Sequence, residues 1–293
     1  MITFCNRAFS ETTGISPENL AGSSFSACIV EDDRDIFRNA VSGLNKENPS
    51  SLCTLRIRPK EKSVGNGIWT EWTFTAAFDP GSSCTMIQGI GRDISWEREV
   101  AEKEKQHLRD MEFLSRTAMA FLDIVDEQEL YQFIVSKVKE LEPSSVVTVC
   151  ETDMKNQTIM MKAVACDEDV QNLFIREFGV NPIGFSVSFA TDPSASVLLQ
   201  KKGIQEAPSL YYLFMRKLPL DACRRFEEIL AIGKIYLLGF SSQGEIFGQV
   251  IILLKEGYDL VNTGLIEAFT NQASVALAPP PDTKRALEER GTL

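Results

Sequence analysis

Histidine is nearly missing from this sequence, since His107 is the only one among 293 residues. A Ser-His-Asp or Cys-His catalytic site, or a metal site with several imidazole ligands, would have to include it. His107 lies in a highly charged stretch, far along the chain from every candidate nucleophile, and we interpret it as a solvent-facing or hydrogen-bonded side chain. The sequence also has no glycine-rich loop of the kind that cradles phosphates. Hydrolytic, metal-dependent and nucleotide-dependent chemistry therefore has little support.

Paired cysteines and long apolar runs are missing as well. The seven cysteines, at positions 5, 28, 53, 84, 150, 166 and 223, include no C-x-x-C pair. An odd, scattered set favours reduced thiols over a disulfide framework or a zinc site. No apolar run approaches the roughly 18 residues of a membrane span, and the N-terminus does not resemble a signal peptide. We therefore expect a cytoplasmic protein without membrane insertion and without a metal.

The chain has fewer positively charged than negatively charged side chains. The chain has 30 Lys and Arg against 41 Asp and Glu, a formal net charge of −11. A nucleic-acid partner would require a basic face, and an anionic membrane surface attracts basic segments, so neither is expected. The composition, 44% hydrophobic and 24% charged, is ordinary for globular proteins, and 293 residues suit two domains.

The stretch from Arg92 to Val125 predicts one long helix joining two domains, with residues 96–122 as the linker. No Gly or Pro occurs between Glu99 and Phe121, and good helix formers fill most positions. A 4-3 spacing predicts a coiled-coil seam that is polar in its first half. Its positions are Val100, Glu104, His107, Met111, Leu114, Ala118, Phe121 and Val125. The alternative is an exposed linker helix whose last turns pack on the next domain.

Residues 1–95 predict a small α+β domain with an antiparallel sheet. Short helices are expected near Asn6, at Pro17 and at Glu31. Alternating apolar and polar residues mark the strands, and they place Trp69 and Trp72 on opposite faces of one of them. The predicted strands are 2–4, 51–58, 68–78 and 85–94.

Motifs in this region resemble a PAS domain of the S-box type. They are Phe4-x-Asn6-x-Ala8-Phe9, Thr13-Gly14-Ile15-Ser16-Pro17-Glu18, Gly22 and Glu31-Asp32-Asp33-Arg34. Gly89-x-Gly91-Arg92-Asp93-Ile94-Ser95 resembles the Asp-Ile-Thr signature that ends such domains and starts their signalling helix. The resemblance thus implies signalling roles for Arg92, Asp93, Ile94 and Ser95.

One departure concerns the start of the domain. A PAS domain normally begins with a strand before the one at 2–4, in the middle of the sheet, and that strand is missing here. Its loss would leave unpaired backbone groups on both neighbours. We expect the chain to be the C-terminal part of a longer sensor, or to lack its start.

The PAS resemblance implies a pocket between sheet and helices for haem, flavin or a small organic molecule. A haem ligand is not evident, because no His precedes position 107, and no cysteine lies in the segment typical of photoactive flavin domains. Trp72, Phe74 and Phe37 are the candidate lining residues. Ordinary core packing is the alternative for all three.

Residues 123–278 predict a second α+β domain. Its predicted helices are 126–141, 169–178 and 259–277, its strands 145–151, 158–165, 235–240 and 247–255, and residues 180–234 are expected to be irregular with short helices.

This domain resembles a GAF domain. The likeness is carried by Gly239-Phe240, by Gly248-Gln249-Val250-Ile251-Ile252-Leu253 and by Leu265-x-x-Ala268-Phe269-x-x-Gln272-Ala273-Ser274-Val275-Ala276-Leu277. It implies a small-molecule pocket, and the patterns typical of bilin and cyclic-nucleotide sites are not evident. Haem attachment through Cys223 or Cys166 stays open. The candidate pocket residues are Phe185, Phe189, Tyr211, Phe214 and Cys223.

The series PAS, helix, GAF resembles the sensory half of histidine kinases, most closely those of methanogenic archaea. Residues 279–293 read as a proline-rich charged tail without a phosphoacceptor His, so no kinase activity is expected from this chain. We expect a sensory module of two-component type that dimerises through the linker and acts on a histidine kinase or response regulator. The alternatives are a thiol enzyme such as a free methionine sulfoxide reductase, using Cys150, Cys166 and Cys223, and a ligand-free scaffold.

Overall fold

A computed structural model describes residues 1–59, 67–190, 203–242 and 244–278. The chain forms two compact units that divide between Leu108 and Arg109. The fold class is α+β with two antiparallel sheets, as predicted. The predicted tail, residues 279–293, lies outside the described residues. No helix in the described ranges is long and apolar enough to cross a bilayer.

The first unit has short helices on one side of a three-stranded sheet with the order β1-β2-β3. Asn6 caps the first helix by accepting a hydrogen bond from the Phe9 N–H, and the helix ends at Gly14 with a φ of 65°. The helix predicted at Glu31 begins at Arg34, because Glu31–Asp33 form a 3₁₀ turn. The elements are α1 (Arg7–Thr13), α2 (Pro17–Leu20), α3 (Arg34–Ser42), β1 (Ser50–Ile57), β2 (Ile68–Phe78) and β3 (Cys84–Asp93).

The strand predicted at residues 2–4 is wrong, because this segment forms no strand. The Ile2 N–H donates to the Ser23 carbonyl, and the Gly22 N–H donates to the Ile2 carbonyl, both at 2.8 Å. The Ile2 side chain packs with Leu20 and Cys28 in a small cluster. The segment is therefore held by the loop after α2 and does not join the sheet.

Strand β2 separates the two faces of the sheet. Thr70, Trp72, Phe74 and Ala76 are buried beneath the helices, and Trp69 lies on the opposite face, as the alternation predicted. Strand β3 pairs with β2 on one side only, and all ten of its residues are exposed. It is therefore an edge strand of the described sheet.

The predicted linker helix is present as α4 (Ser95–Asp123), which runs for 29 residues. Residues before Arg109 belong to the first unit and the rest to the second. Phe113 and Thr117 are its buried residues, and both lie in the second unit.

The second unit is built on a six-stranded antiparallel sheet with the order β6-β5-β4-β9-β8-β7. Asp126 caps the first helix after α4 by accepting from the Glu129 N–H at 2.8 Å. The elements are α5 (Glu127–Leu141), β4 (Ser145–Asp153), β5 (Thr158–Ala165), α6 (Glu168–Phe178), β6 (Ser186–Ser188), β7 (Gln205–Ala207), α7 (Leu210–Leu213), α8 (Leu220–Ile229), β8 (Ile232–Ser242), β9 (Glu245–Lys255) and α9 (Thr263–Leu277).

Both faces of this sheet are covered. In β9, Val250, Ile252 and Leu254 point to a core shared with α4, α5 and α9. Ile251 and Leu253 point to a second core shared with α6, α7 and α8. A strand buried on both faces reads as an unbroken apolar run, which is why β9 shows no alternation.

Candidate functional site

Of the three aromatic residues predicted to line a pocket in the first unit, Phe74 contacts both of the others. The rings of Trp72 and Phe74 stack at 5.6 Å with 7° between their planes. Phe37 lies 5.2 Å from Phe74. Phe25 contacts all three rings, and the Trp72 indole N–H donates to Thr70 Oγ1 at 2.8 Å. These side chains form a continuous aromatic layer between the sheet and the helices.

The glycines of the Gly89-x-Gly91 motif make room for this layer. Trp72 pairs with Gly91 across the sheet, and Phe74 pairs with Gly89. A Cβ on Gly91 would lie 2.6 Å from the Trp72 ring, and one on Gly89 would lie 2.9 Å from the Phe74 ring. Both separations are below van der Waals contact, so the two rings can rest on β3 only where it has no side chains.

The predicted signalling residues meet β2 at the start of α4. The Ile94 N–H donates to the Trp69 carbonyl at 2.9 Å, and the Trp69 N–H donates to Ser95 Oγ at 3.1 Å. Asp93 Oδ1 accepts from the Ser95 N–H at 2.8 Å. Arg92 forms an exposed ion pair of 3.3 Å with Glu97. The backbone of Trp69 therefore fixes the point at which the helix leaves the sheet.

The ring of Trp69 also contacts two guanidinium groups. That of Arg98, in the second turn of α4, lies 3.9 Å from the ring centroid, and that of Arg56 lies 5.2 Å away. Arg56 donates from Nε and Nη2 to the two carboxylate oxygens of Asp33, at 2.8 and 2.7 Å. These hydrogen bonds lower the pKa of Asp33. Asp33, Arg56, Trp69 and Arg98 form a contact chain from the helical side of the unit to α4.

In the second unit, one face of α4 packs on the core. Phe121 stacks on Phe269 of α9 at 5.6 Å, Phe113 contacts the same ring at 5.7 Å, and Leu114 packs beside them. Leu114 and Phe121 are two of the predicted seam positions, and both pack against the core of the second unit. The last turns of α4 thus pack as the alternative interpretation expects, and the seam itself stays a prediction.

A different face of α4 is exposed and apolar. Met111, Met119 and Leu122 are 56%, 62% and 77% exposed, and Ser115 between them is exposed as well. Spacings of four, four and three residues place the four on one side of the helix. We call Met111, Ser115, Met119 and Leu122 the exposed stripe.

The second unit contains a cavity between the sheet and helices α6, α7 and α8. The space between its walls, counted together with the solvent at its mouth, is about 490 Å³, and the centre of a water molecule can move through about 40 Å³ of it. Thr148, Cys166 and Gln171 are the polar residues of the described lining. The apolar lining residues are Val146, Met161, Val164, Val170, Phe174, Pro182, Leu210, Leu213, Phe214, Phe226, Ile251 and Leu253.

Of the five pocket residues predicted in this unit, Phe214 lines the cavity. Phe185 and Tyr211 are half-buried and pack against the surrounding core. Phe189 and Cys223 are buried within that core, away from the described cavity wall. The sequence pattern missed the wall supplied by β4 and β9, because strands buried on both faces carry no alternation to mark the cavity side.

The three cysteines of the second unit do not form a reactive cluster. Cys150 pairs with Met161 across the β4–β5 hairpin, so Cys150 and Cys166 do not face one another across it. Burial raises the pKa of the Cys150 thiol to about 12 and that of Cys223 to about 11. It also raises the pKa of Cys166. Protonated thiols are weak nucleophiles and poor metal ligands. Among the described residues, no group of three His, Cys, Asp or Glu side chains is placed to hold a metal.

Comparison with known proteins gives a family match for the first unit. Residues 1–94 match the PAS fold family. The two-component sensor PprA of Pseudomonas aeruginosa is 27% identical over 94 residues, which are 32% of this chain and 10% of that sensor. The matched segment thus spans about a tenth of that relative's length.

Two solved structures are similar to larger parts of the chain. The chromophore-binding domain of a Stigmatella aurantiaca bacteriophytochrome is 15% identical, covers 92% of this chain and 86% of its own, and has a TM-score of 0.43. The GAF domain of an Acinetobacter phosphoenolpyruvate-protein phosphotransferase is 14% identical, covers 57% of this chain and 92% of its own, and has a TM-score of 0.42.

The order of elements after α4 comes from the structure of this chain and does not depend on the two similar structures. The second unit has the helix, hairpin, helix, two further long strands and final helix that the sequence predicted, with α9 starting four residues later than expected. Residues 1–94 of the chain therefore match the PAS fold family, and the unit that follows has the element order predicted for a GAF domain.

Proposed function

We propose that this chain is a sensory module of two-component type, in which a small molecule bound in the second unit and the state of the PAS domain are coupled through α4. The observation that carries the proposal is the uninterrupted helix itself. Its first turns are held by Trp69 in the first unit, and its later turns pack on Phe269 in the second. A helix that is held at both ends can rotate or shift as one body. Two such positions of the helix would couple the two units.

Breaking the helix tests this coupling. We expect Trp69→Ala in the full chain to speed hydrogen exchange at residues 95–105 and also at residues 113–121. Insertion of two glycines after Glu104 should confine the effect to residues before the insertion, because glycine interrupts the helix. The coupling proposal fails if Trp69→Ala leaves the exchange of residues 113–121 unchanged in the chain without the insertion.

We further propose a homodimer formed through the exposed stripe, in place of the seam that used Leu114 and Phe121. Leu and Met side chains are suited to the interface between two helices, and their burial there would be favourable because it removes apolar surface from water. The partner of the dimer would be a histidine kinase or response regulator. All seven cysteines are unbridged, which supports a reducing compartment such as the cytoplasm.

Cross-linking distinguishes the stripe from the rest of the helix. Met119→Cys should give a disulfide-linked dimer under mild oxidation, in a Cys84→Ser background because Cys84 is the exposed native thiol. Arg116→Cys, which is exposed on another side of α4, is the matched control and should cross-link less. Equal cross-linking at both positions, or a monomer at all concentrations by light scattering, would rule out this interface.

The same observations support a non-catalytic role. The thiol-enzyme alternative would require a thiolate, and the thiols of Cys150, Cys166 and Cys223 all have raised pKa values. An NADPH-coupled reductase assay with methionine sulfoxide, compared between the native chain and Cys223→Ala, tests this directly. Turnover that disappears in the variant would favour the enzyme.

A further inference from the structure

We propose that the cavity of the second unit takes a small, uncharged, apolar molecule of about one aromatic ring, and that tetrapyrroles and nucleotides do not fit it. This inference rests on the proposed sensory function, because it names the ligand class of that site. Two properties of the cavity carry it, namely the charge of its wall and its volume, and the buried cysteine at its polar corner bears on haem in particular.

The described wall contains no charged side chain. Its fifteen residues include no Lys, Arg, His, Asp or Glu. A phosphate or carboxylate placed there would lose its hydration without gaining an ion pair from the described wall, which is unfavourable. A nucleotide or a tetrapyrrole carries such groups, whereas a neutral apolar ligand would gain from leaving water.

The volume sets the size of the ligand. The centre of a water molecule can explore about 40 Å³ of the cavity, and one water needs about 10–15 Å³ on this measure. The cavity therefore has room for about three or four waters, which is roughly the space of a single six-membered ring with one or two substituents. A tetrapyrrole is several times larger.

The polar corner of the cavity lies at the start of α6. Cys166 is half-buried there, and burial raises the pKa of its thiol, while Gln171 acts in the opposite direction to a smaller extent. A thiol with a raised pKa is protonated at neutral pH, and a protonated thiol is a poor metal ligand. Cys223, the other cysteine considered for haem, is 1% exposed and is absent from the described wall. The only histidine in the chain is His107, which belongs to the first unit. The residues present thus do not fit an attached haem.

The experiment uses the full chain and three kinds of probe. Fluorobenzene is the neutral ring, and its binding is followed by ¹⁹F NMR. 4-Fluorobenzoate is the same ring with a negative charge, and haemin and cyclic GMP represent the larger charged ligands. We expect saturable binding of fluorobenzene, at least about tenfold weaker binding of 4-fluorobenzoate because its charge must be desolvated, and no stoichiometric binding of haemin or cyclic GMP.

Cavity-filling variants locate the binding. Val170→Phe and Val164→Phe each place a larger side chain at a half-buried lining position, and each should weaken fluorobenzene binding at least about tenfold. Two positions are used because one of the variants can fail to fold. Val261→Phe makes the same change at a position that is 79% exposed in the same unit, and it should leave binding unchanged.

The outcomes separate the two proposals. Stoichiometric binding of haemin or cyclic GMP that is lost in Val170→Phe would overturn the proposed ligand class. It would leave the proposed sensory function unaffected. Fluorobenzene binding that is equal in all variants would also overturn the inference, because the ring would then sit elsewhere. The sensory proposal itself falls if Trp69→Ala leaves the hydrogen exchange of residues 113–121 unchanged in the chain without the glycine insertion, whatever the probes do.

Discussion

The guanidinium group of Arg98 lies over the indole ring of Trp69, 3.9 Å from its centroid. This contact joins the second turn of α4 to the face of the sheet opposite the aromatic layer. Backbone hydrogen bonds of Trp69 with Ile94 and Ser95 hold the helix start beside it. One residue of β2 thus holds the beginning of α4 through both its backbone and its ring.

Arg98→Ala should loosen the first turns of α4. A cation–π contact at an exposed site contributes about 0.5–1 kcal/mol, so local opening should become roughly two to five times more frequent. Hydrogen exchange at residues 95–105 measures this change. Lys105→Ala, also exposed on α4, is the control and should leave the exchange as it was. A comparable increase in both variants would mean that the Trp69 contact does not hold the helix.

Asp33→Asn should destabilise the first unit, because Arg56 would lose its carboxylate partner in a buried site. We expect the melting temperature to fall by on the order of 10 °C. Tryptophan fluorescence reports this transition selectively, since Trp69, Trp72 and Trp96 all lie in the first unit. Asp35→Asn, whose ion pair with Arg38 is exposed, should change the midpoint little. Equal shifts would contradict a structural role for the buried pair.

The same pair predicts a pH dependence. The pKa of Asp33 is lower in the folded chain than its ordinary value, chiefly because of the hydrogen bonds from Arg56. Its contribution to stability is therefore complete above the unfolded carboxyl pKa of about 3.9, and it is lost as the pH falls through the lowered folded value. Acid unfolding followed by tryptophan fluorescence should show a shallower loss of stability in Asp33→Asn. Identical acid profiles would exclude this linkage.

Gly91→Ala should disturb the aromatic layer, since its Cβ would lie 2.6 Å from the Trp72 ring. Overpacking of this kind costs about 1–3 kcal/mol. Gly43→Ala is the matched control, because its Cβ would meet its nearest atom at 3.6 Å and its backbone is already helical. Thermal unfolding by tryptophan fluorescence compares the two. A stability of Gly91→Ala equal to that of Gly43→Ala would show that the ring shifts at no cost.

Phe121→Ala and Met119→Ala should have opposite effects on stability and assembly. Phe121 stacks on Phe269, so its truncation should cost about 2 kcal/mol or more in the second unit. Met119 is 62% exposed, so its truncation should leave that stability nearly unchanged and weaken the proposed dimer. Hydrogen exchange of α9 measures the first effect, and light scattering over a dilution series measures the second. A reversal of the two results would restore the seam predicted from the sequence.

The sequence by itself determined most of the elements and their types. The run without Gly or Pro predicted α4, and the alternation around Trp69 and Trp72 predicted β2 and its two faces. These signals are local, because the chain reveals them within one or two turns or strand repeats. The Gly89-x-Gly91 motif and the resemblance to PAS domains could also be recognised from the sequence, since each depends on residues close together in the chain.

Only the tertiary structure decided which side of each element meets which partner. A heptad spacing marks apolar positions on α4, but it does not say whether Phe121 meets another copy of the chain or Phe269, which is 148 positions away. The same holds for Ile2. The sequence predicted a strand at residues 2–4, but Ile2 forms backbone hydrogen bonds with Gly22 and Ser23 and the segment does not join the sheet. Local sequence patterns do not mark most of the cavity wall, because the cavity is the space left between side chains of β4, β5, β9 and three helices. Such contacts are fixed by packing between residues distant in the chain, which local patterns do not encode.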